Sequence, residues 1–312
     1  MKTLKTIATC IVSLFLVVVS VRSAYSQQDP MYSQYMFNIQ SYNPAYAGTW
    51  ESIGIMALGR QQWVGFNQAP DTYTFTIQAP LRSKNVGLGL TVIQDDIGFE
   101  KRFGLFGDYS YRLKMKEGVY LRLGVKAGIT NYSNNLMKYT TYPDLDPSFN
   151  DIIDQKYMPN FGIGAFLSSD RYYLGLSVPK ILKNDFELGA TDYKTEYAIR
   201  HFFLIGGYVF DMSKVVKFKP SFNLRAVTAS PVVADINASF LFADRLWVGA
   251  VGRTEGSFGA NMQIIINRKL RVGYAYDIHT SKLGSYQNGT HEIMVSYELN
   301  FLSTKVTSPR YF

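Results

Sequence analysis

Cysteine is nearly missing from this 312-residue chain, and histidine is scarce: Cys10 stands alone, and His201, His279 and His291 lie far apart. Cys10 falls in the apolar run from Ile7 to Val21, behind Lys2 and Lys5 and ahead of the small residues Ala24 and Ser26. That order is the pattern of a secretory signal peptide, so residues 1–26 are expected to be removed and Cys10 with them. An exported chain without disulfides must be held by its own sheet or core. Scattered histidines without a thiol leave no metal site of recognisable spacing. Asp144, Asp146, Asp151 and Asp154 cluster, but they lack the Gly and Glu positions of a calcium loop. No metal and no cofactor is expected.

Two further absences narrow the class. Beyond Val21 no apolar run reaches the ~18 residues that a transmembrane helix needs. Strong charge is also missing: after residue 26 the basic side chains number 32 − 3 = 29 against 24 acidic ones, a formal +5 with no Lys/Arg run. Nucleic acid is therefore not an expected partner.

What the chain has in quantity is Tyr, Phe and Gly (23, 21 and 25 residues), arranged in alternation. Val119, Leu121, Leu123, Val125, Ala127 and Ile129 alternate with Tyr120, Arg122, Gly124, Lys126, Gly128 and Thr130. The same pattern runs from Val216, with Lys217, Lys219 and Arg225 on the polar face, from Leu270, with Arg271 and Asp277, and from Ile293, with Glu298. One charge-free face per strand is what a bilayer selects, since Arg or Lys facing lipid at mid-depth costs about 2–4 kcal/mol. Strands of about 9–12 residues are expected, which is spanning length. Arg122, Lys126, Lys217, Lys219, Arg225, Arg271, Asp277 and Glu298 are then lumen-facing charges, in a salt-bridged interior more tolerant of substitution than the lipid face. About fourteen such segments can be counted, with tight polar turns alternating with mostly longer loops. The fold class is all-β, a transmembrane antiparallel β-barrel of about 14 strands over residues 51–301, preceded by a short helical or plug segment at 27–50 and followed by a tail at 302–312. Short turns are periplasmic in outer-membrane barrels, so both barrel ends are expected there. Pro220 removes a ladder donor and predicts a bulge or weak point. Gly87-Leu88-Gly89 lacks the Lys-Ser/Thr of a phosphate loop, and its glycines predict close packing inside the wall.

The 27–50 stretch is too aromatic for a linker. Asp29 before Pro30 is a helix-start signal. Tyr32, Tyr35, Met36 and Ile39 then form one apolar stripe, which Asn43-Pro44 ends. The stripe is expected to fold back and close or line the periplasmic mouth. Catalysis is not expected: His291 and Glu292 are neighbours on a strand and point to opposite faces, so they form no dyad.

These residues carry a resemblance. Gln28-Asp29-Pro30, Tyr32-Ser33-Gln34-Tyr35-Met36 and Asn43-Pro44-Ala45-Tyr46-Ala47-Gly48 resemble the opening signature of the PorP/SprF family of type IX secretion outer-membrane proteins. Arg60-Gln61-Gln62-Trp63, Gly65-Phe66 and Ala69-Pro70 are similar to its next block, although Asn67-Gln68 stands where a Gly-rich turn is more usual. The stretch from Tyr276-Asp277 to Gly284, then Asn288-Gly289-Thr290-His291-Glu292-Ile293 and Tyr297, resembles its last hairpin. The resemblance implies a non-enzymatic barrel of the cell outer membrane that serves secretion and gliding by anchoring proteins. Implied partners are periplasmic or peptidoglycan-linked secretion components, the C-terminal domain of an exported adhesin, and outer-membrane lipid. Asp29, Pro30, Tyr32, Tyr35, Met36, Ile39, Asn43, Pro44, Tyr46 and Gly48 become candidate partner-binding or plug residues. Gly289, Thr290, His291 and Glu292 mark the hairpin motif. The alternative is an outer-membrane channel for hydrophobic small molecules with an N-terminal plug.

Overall fold

The structure, a computed structural model, describes residues 29–50, 52–81, 85–135, 152–183, 185–187, 194–196, 199–227, 230–267 and 269–299. The aspartate cluster at 144–154 lies outside the residues whose side chains are described.

Alternating segments become strands because each side of the alternation meets a different medium. The strands are β1 (Ile53–Gln61), β2 (Asp71–Pro80), β3 (Val86–Ile97), β4 (Glu100–Lys116), β5 (Val119–Asn135), β6 (Ile152–Ser169) and β7 (Tyr172–Val178). A small hairpin, β8 (Asp185–Glu187) with β9 (Lys194–Glu196), stands apart. Then come β10 (His201–Tyr208), β11 (Phe210–Asp211), β12 (Val216–Val227), β13 (Val233–Phe242), β14 (Leu246–Arg253), β15 (Ser257–Ile265), β16 (Leu270–His279) and β17 (Thr290–Leu299). Each barrel strand pairs antiparallel with its neighbour, and β1 closes the ring on β17, Ile53 opposite Leu299. With β10 and β11 as one interrupted strand, the barrel has fourteen.

The interruption sits opposite Pro220. Gly207 pairs with Ser221 and Phe210 with Phe218, the same register on both sides of the break. The proline therefore produces a gap in the ladder without a bulge, because it has no N–H to give. Strand lengths depart from the 9–12 expected: β4, β5 and β6 reach 17, 17 and 18 residues, and β7 has 7.

On β5, Leu123, Val125 and Ile129 point outward and exposed, while Arg122, Lys126 and Thr130 point inward and are buried. Six connections are short turns at one end of the barrel. At the other end the β1–β2, β5–β6, β7–β10 and β16–β17 connections are long, but β3 and β4 are joined by only Gly98-Phe99, with Gly98 at φ 64°. No helix among the described residues is long and apolar enough to cross a membrane.

Candidate functional site

Residues 29–50 lie inside the barrel. Asp29 meets Lys180, Oδ1 to Nζ 2.6 Å, just past β7 at the long-loop end. At the other extreme the Ala47 carbonyl accepts from Ser110 Oγ at 2.6 Å, and Gly48 packs on Gly87, beside the short turn ahead of β3. The segment thus runs the length of the lumen and is not confined to the short-turn mouth. It does so as three short pieces: a 3-10 turn at Tyr35–Phe37, a helix α1 (Ile39–Tyr42) and a second 3-10 turn at Pro44–Tyr46. Asp29 and Pro30 do not start a helix, because the Asp29 carboxylate is engaged by Lys180. Asn43 is the effective cap, its Oδ1 accepting from Ala45 N at 3.0 Å with Pro44 at the first helical position.

Tyr32, Tyr35, Met36 and Ile39 are each at most 2% exposed. Gln34, Asn38, Gln40 and Asn43 are buried just as completely. A helix on a surface would leave those polar residues in water; in a lumen every side meets wall, and buried polar groups need partners. Gln40 Nε2 donates to the Ile77 and Leu90 carbonyls, at 3.1 and 3.3 Å, across the β2–β3 pair. Asn43 Nδ2 donates to the Ala165 carbonyl at 3.0 Å. The backbone approaches closely only because the wall offers glycine: a Cβ on Gly124 would collide with Ala45, and one on Gly87 with Ala47.

One cluster ties the segment to three strands. Glu292 on β17 accepts the Ser33 and Gln34 backbone N–H groups, both at 2.9 Å. Arg60 on β1 donates to Glu292 at 3.0 Å, to Asp277 on β16 at 3.2 Å and to Ser33 Oγ at 2.9 Å. Ser33 Oγ in turn donates to Asp277. Two buried carboxylates share one guanidinium; the two amides serve Glu292 and the hydroxyl serves Asp277 Oδ2, while Asp277 Oδ1 has no hydrogen-bond partner among the described residues.

The other lumen charges are also inside. Lys126 pairs with Asp108 at 3.0 Å, Arg271 with Glu298 at 3.2 Å, Arg225 with Glu255 at 3.5 Å and Lys217 with Asp211 at 3.2 Å near the short-turn rim. Lys219 lies between the rings of Phe37 and Trp247, 4.6 and 4.5 Å from their centres. Arg122 is buried on β5. Tyr46 meets Phe166 edge-on at 5.3 Å. In the hairpin, Gly289 takes φ 88° and its carbonyl accepts from Val64 N, Thr290 Oγ1 accepts from Trp63 N, and His291 faces outward to the Tyr274 hydroxyl at 2.7 Å. Glu292 faces inward, so His291 and Glu292 do lie on opposite faces. Gln68, where a Gly-rich turn was more usual, takes φ 60°, a left-handed conformation that glycine favours.

Ser33, Gln34 and Arg60 stand in the motifs that carry the resemblance but not among the candidate site residues, and Gln40 stands in neither. Arg60 had a signal: the inner face of β1 reads Gly54, Met56, Leu58, Arg60, a single charge on an otherwise uncharged face. The glutamines had none, since their partners are carbonyls and carboxylates of strands distant in sequence.

The opening segment, the block after β1 and the last hairpin, far apart in sequence, therefore meet at one place. The pattern describing type IX secretion system membrane protein PorP/SprF matches residues 24–297. No curated protein sequence matches the chain. Among solved structures it is similar to the CymD monoaromatic hydrocarbon channel (10% identity, 88% of this chain and 95% of that one, TM-score 0.49). It is also similar to a FadL homologue of Pseudomonas aeruginosa (10%, 83% and 93%, 0.48) and to the outer membrane protein Omp33 of Acinetobacter baumannii (10%, 81% and 100%, 0.47). With the matched region covering nearly the whole chain, the protein belongs to the PorP/SprF family of type IX secretion system membrane proteins, and its closed barrel resides in the outer membrane.

Proposed function

We propose that this protein is a plugged, non-enzymatic barrel that holds partner proteins at its two ends and passes no solute through its middle. The observation that supports the reading is the filled lumen: Asp29 to Gly48 runs from one end to the other and is bonded to the wall on every side. Burial of four side chains such as Tyr32, Tyr35, Met36 and Ile39 is worth about 1.5–3 kcal/mol each, so the segment does not leave readily. What remains accessible are the rims. Short turns in such barrels are periplasmic, which assigns periplasmic or peptidoglycan-linked secretion components to the short-turn rim and an exported adhesin C-terminal domain to the long-loop rim.

The test uses full-length protein with Tyr35→Ala and Met36→Ala together. Unaltered barrels in liposomes are expected to exclude small sugars, and the double variant to admit them, while crosslinked partners in intact cells persist. Solute entry through the unaltered barrel would favour the channel for hydrophobic compounds. Loss of the crosslinks with an assembled barrel would make the segment itself the docking element.

A further inference from the structure

At the short-turn end the β4–β5 hairpin outruns its neighbour β3. β3 begins at Val86, opposite Tyr111, and the last bond on that side runs from Arg112 N to the Asn85 carbonyl at 2.6 Å. β4 continues to Lys116, paired on its other side with β5 through Lys114 and Tyr120 and then, past a bulge, through Lys116 and Val119. Alternate residues of β4 turn their backbone groups toward β3, so the Lys114 N–H and C=O lie on an edge that no described residue pairs. An open edge is a template for another strand.

The alternation of β4 decides what stands beside that edge. Tyr109, Tyr111 and Leu113 face outward and are exposed, whereas Asp108 and Ser110 face the lumen and are buried. Arg112 and Lys114 share the inward parity, so their charges stand over the short-turn mouth and not among lipid headgroups. They are about 7 Å apart along the strand. Arg112 is directly opposite Arg122 on β5, an opposition of like charges that is repulsive until an anion joins it. Arg112 covers the Tyr120 ring at 4.9 Å, and Lys114 is exposed. Acids of the other short turns are engaged elsewhere, Asp211 by Arg171 at 2.8 Å and Lys217 at 3.2 Å, and Glu298 by Arg271 at 3.2 Å. Among the described residues no acid forms an ion pair with Arg112 or Lys114.

We propose that the β4–β5 hairpin docks an extended acidic polypeptide segment, which pairs with the β4 edge beyond Arg112 and sets alternate carboxylates against Arg112 and Lys114. A strand carries both the backbone groups that the edge lacks and side chains at the spacing of the two cations; a phosphate headgroup supplies only charge. The inference rests on the reading that partners sit at the short-turn rim, and names the chemistry by which one is held there.

Fluorescence anisotropy on the full-length protein in zwitterionic detergent tests it with a labelled pentapeptide of alternating Glu and Val against its Gln and Val counterpart. The Glu peptide is expected to bind saturably and at least about tenfold more tightly, with the difference shrinking between about 50 mM and about 500 mM salt. Arg112→Gln with Lys114→Gln should erase the difference, while Lys214→Gln with Arg245→Gln, on other short turns, should keep it. A fully N-methylated Glu peptide, which keeps the charges and lacks the N–H groups, should bind at least about tenfold more weakly. Equal binding of the Glu and Gln peptides, binding of neither, undiminished binding of the N-methylated peptide, or retained discrimination in an assembled Arg112→Gln, Lys114→Gln barrel would each overturn the proposal. So would displacement of the Glu peptide by phosphatidylglycerol added to the micelles, which would make the cations a headgroup site. Peptide binding without any crosslinked periplasmic protein in cells would instead count against the rim reading, and leave the hairpin site standing.

Discussion

Along β5, Leu123, Val125 and Ile129 face outward, where any apolar side chain of suitable size would do. One residue away, Lys126 is held by Asp108, and Gly124 is pressed against Ala45 of the internal segment. The outer face answers to a solvent, the inner face to particular partners. The same contrast holds on β17, where Ile293, Val295 and Tyr297 face lipid while Glu292 grips the Ser33 and Gln34 amides. Tolerance to substitution should therefore differ in kind: composition rules outside, pairing rules inside. The expectation that the inner face tolerates change better presumed charges in a roomy interior, and the segment removes the room.

The largest expected effect comes from Arg60. Arg60→Met leaves Asp277 and Glu292 buried with their shared cation gone, a loss on the order of 3–5 kcal/mol for breaking a buried pair from one side. Heat-modifiable migration on gels should show less folded barrel, and protease should reach the segment at Ser33. Adding Asp277→Asn and Glu292→Gln should recover much of the loss, because no unpaired charge remains. If Arg60→Met alone were silent, the inner face would not depend on pairing.

Next comes a direct contest between faces. Leu123→Arg puts a charge into hydrocarbon at about 2–4 kcal/mol. Lys126→Glu sets a second carboxylate beside Asp108 in a buried site and should harm assembly comparably, where alternation alone predicts a mild effect. Folded yields of the two variants in outer-membrane fractions decide the matter. A mild Lys126→Glu would restore the roomy interior.

How far sequence reaches follows from the same contrast. Lipid is uniform, so the clean faces from Val119 and Ile293 and the start of nearly every barrel strand could be read from period and turn chemistry. The burial of the Tyr32–Ile39 stripe was also legible. The path of the segment was not, because Gln40 finds the Ile77 and Leu90 carbonyls, and Asn43 the Ala165 carbonyl, through closure of a ring whose strands come from the whole chain. The reach of β4–β6 and the two-residue β3–β4 turn escaped for another reason: strand ends outside the bilayer carry no lipid-imposed pattern.

Glycines give a smaller version of the test. Gly107 on β4 faces outward, and a Cβ there would meet only the Ala127 carbonyl, 3.9 Å away. Gly107→Ala should leave unfolding temperature within error. Gly124→Ala drives a methyl into Ala45 and should cost about 1–3 kcal/mol, as overpacking does. Its unfolding transition should move to lower temperature, and equal behaviour of the two would break the comparison.

The smallest effect lies where the inside meets water. Asp29 and Lys180 are each about a quarter exposed, so their pair is worth no more than about 1 kcal/mol. Burial works against the Asp29 charge, but Lys180 at 2.6 Å and His201, whose Nδ1 lies 3.8 Å away, outweigh it and hold the carboxyl well below the usual carboxylate range. A group whose folded pKa is lowered stabilises the folded state fully above its unfolded pKa, about 4, and that contribution is lost as pH falls through the lowered value. Asp29→Asn should therefore loosen the amino end of the segment at pH 7, read as faster amide exchange at Met31 and Tyr32. Near pH 3 the variant and the unaltered protein should draw closer, since a released Asp29 carboxyl, with its ordinary pKa of about 4, takes up a proton there while the paired one stays ionised. A difference that widened with acid would mean that Lys180 does not hold this end, and that the Glu292 clamp at Ser33 and Gln34 is the outermost grip on the segment.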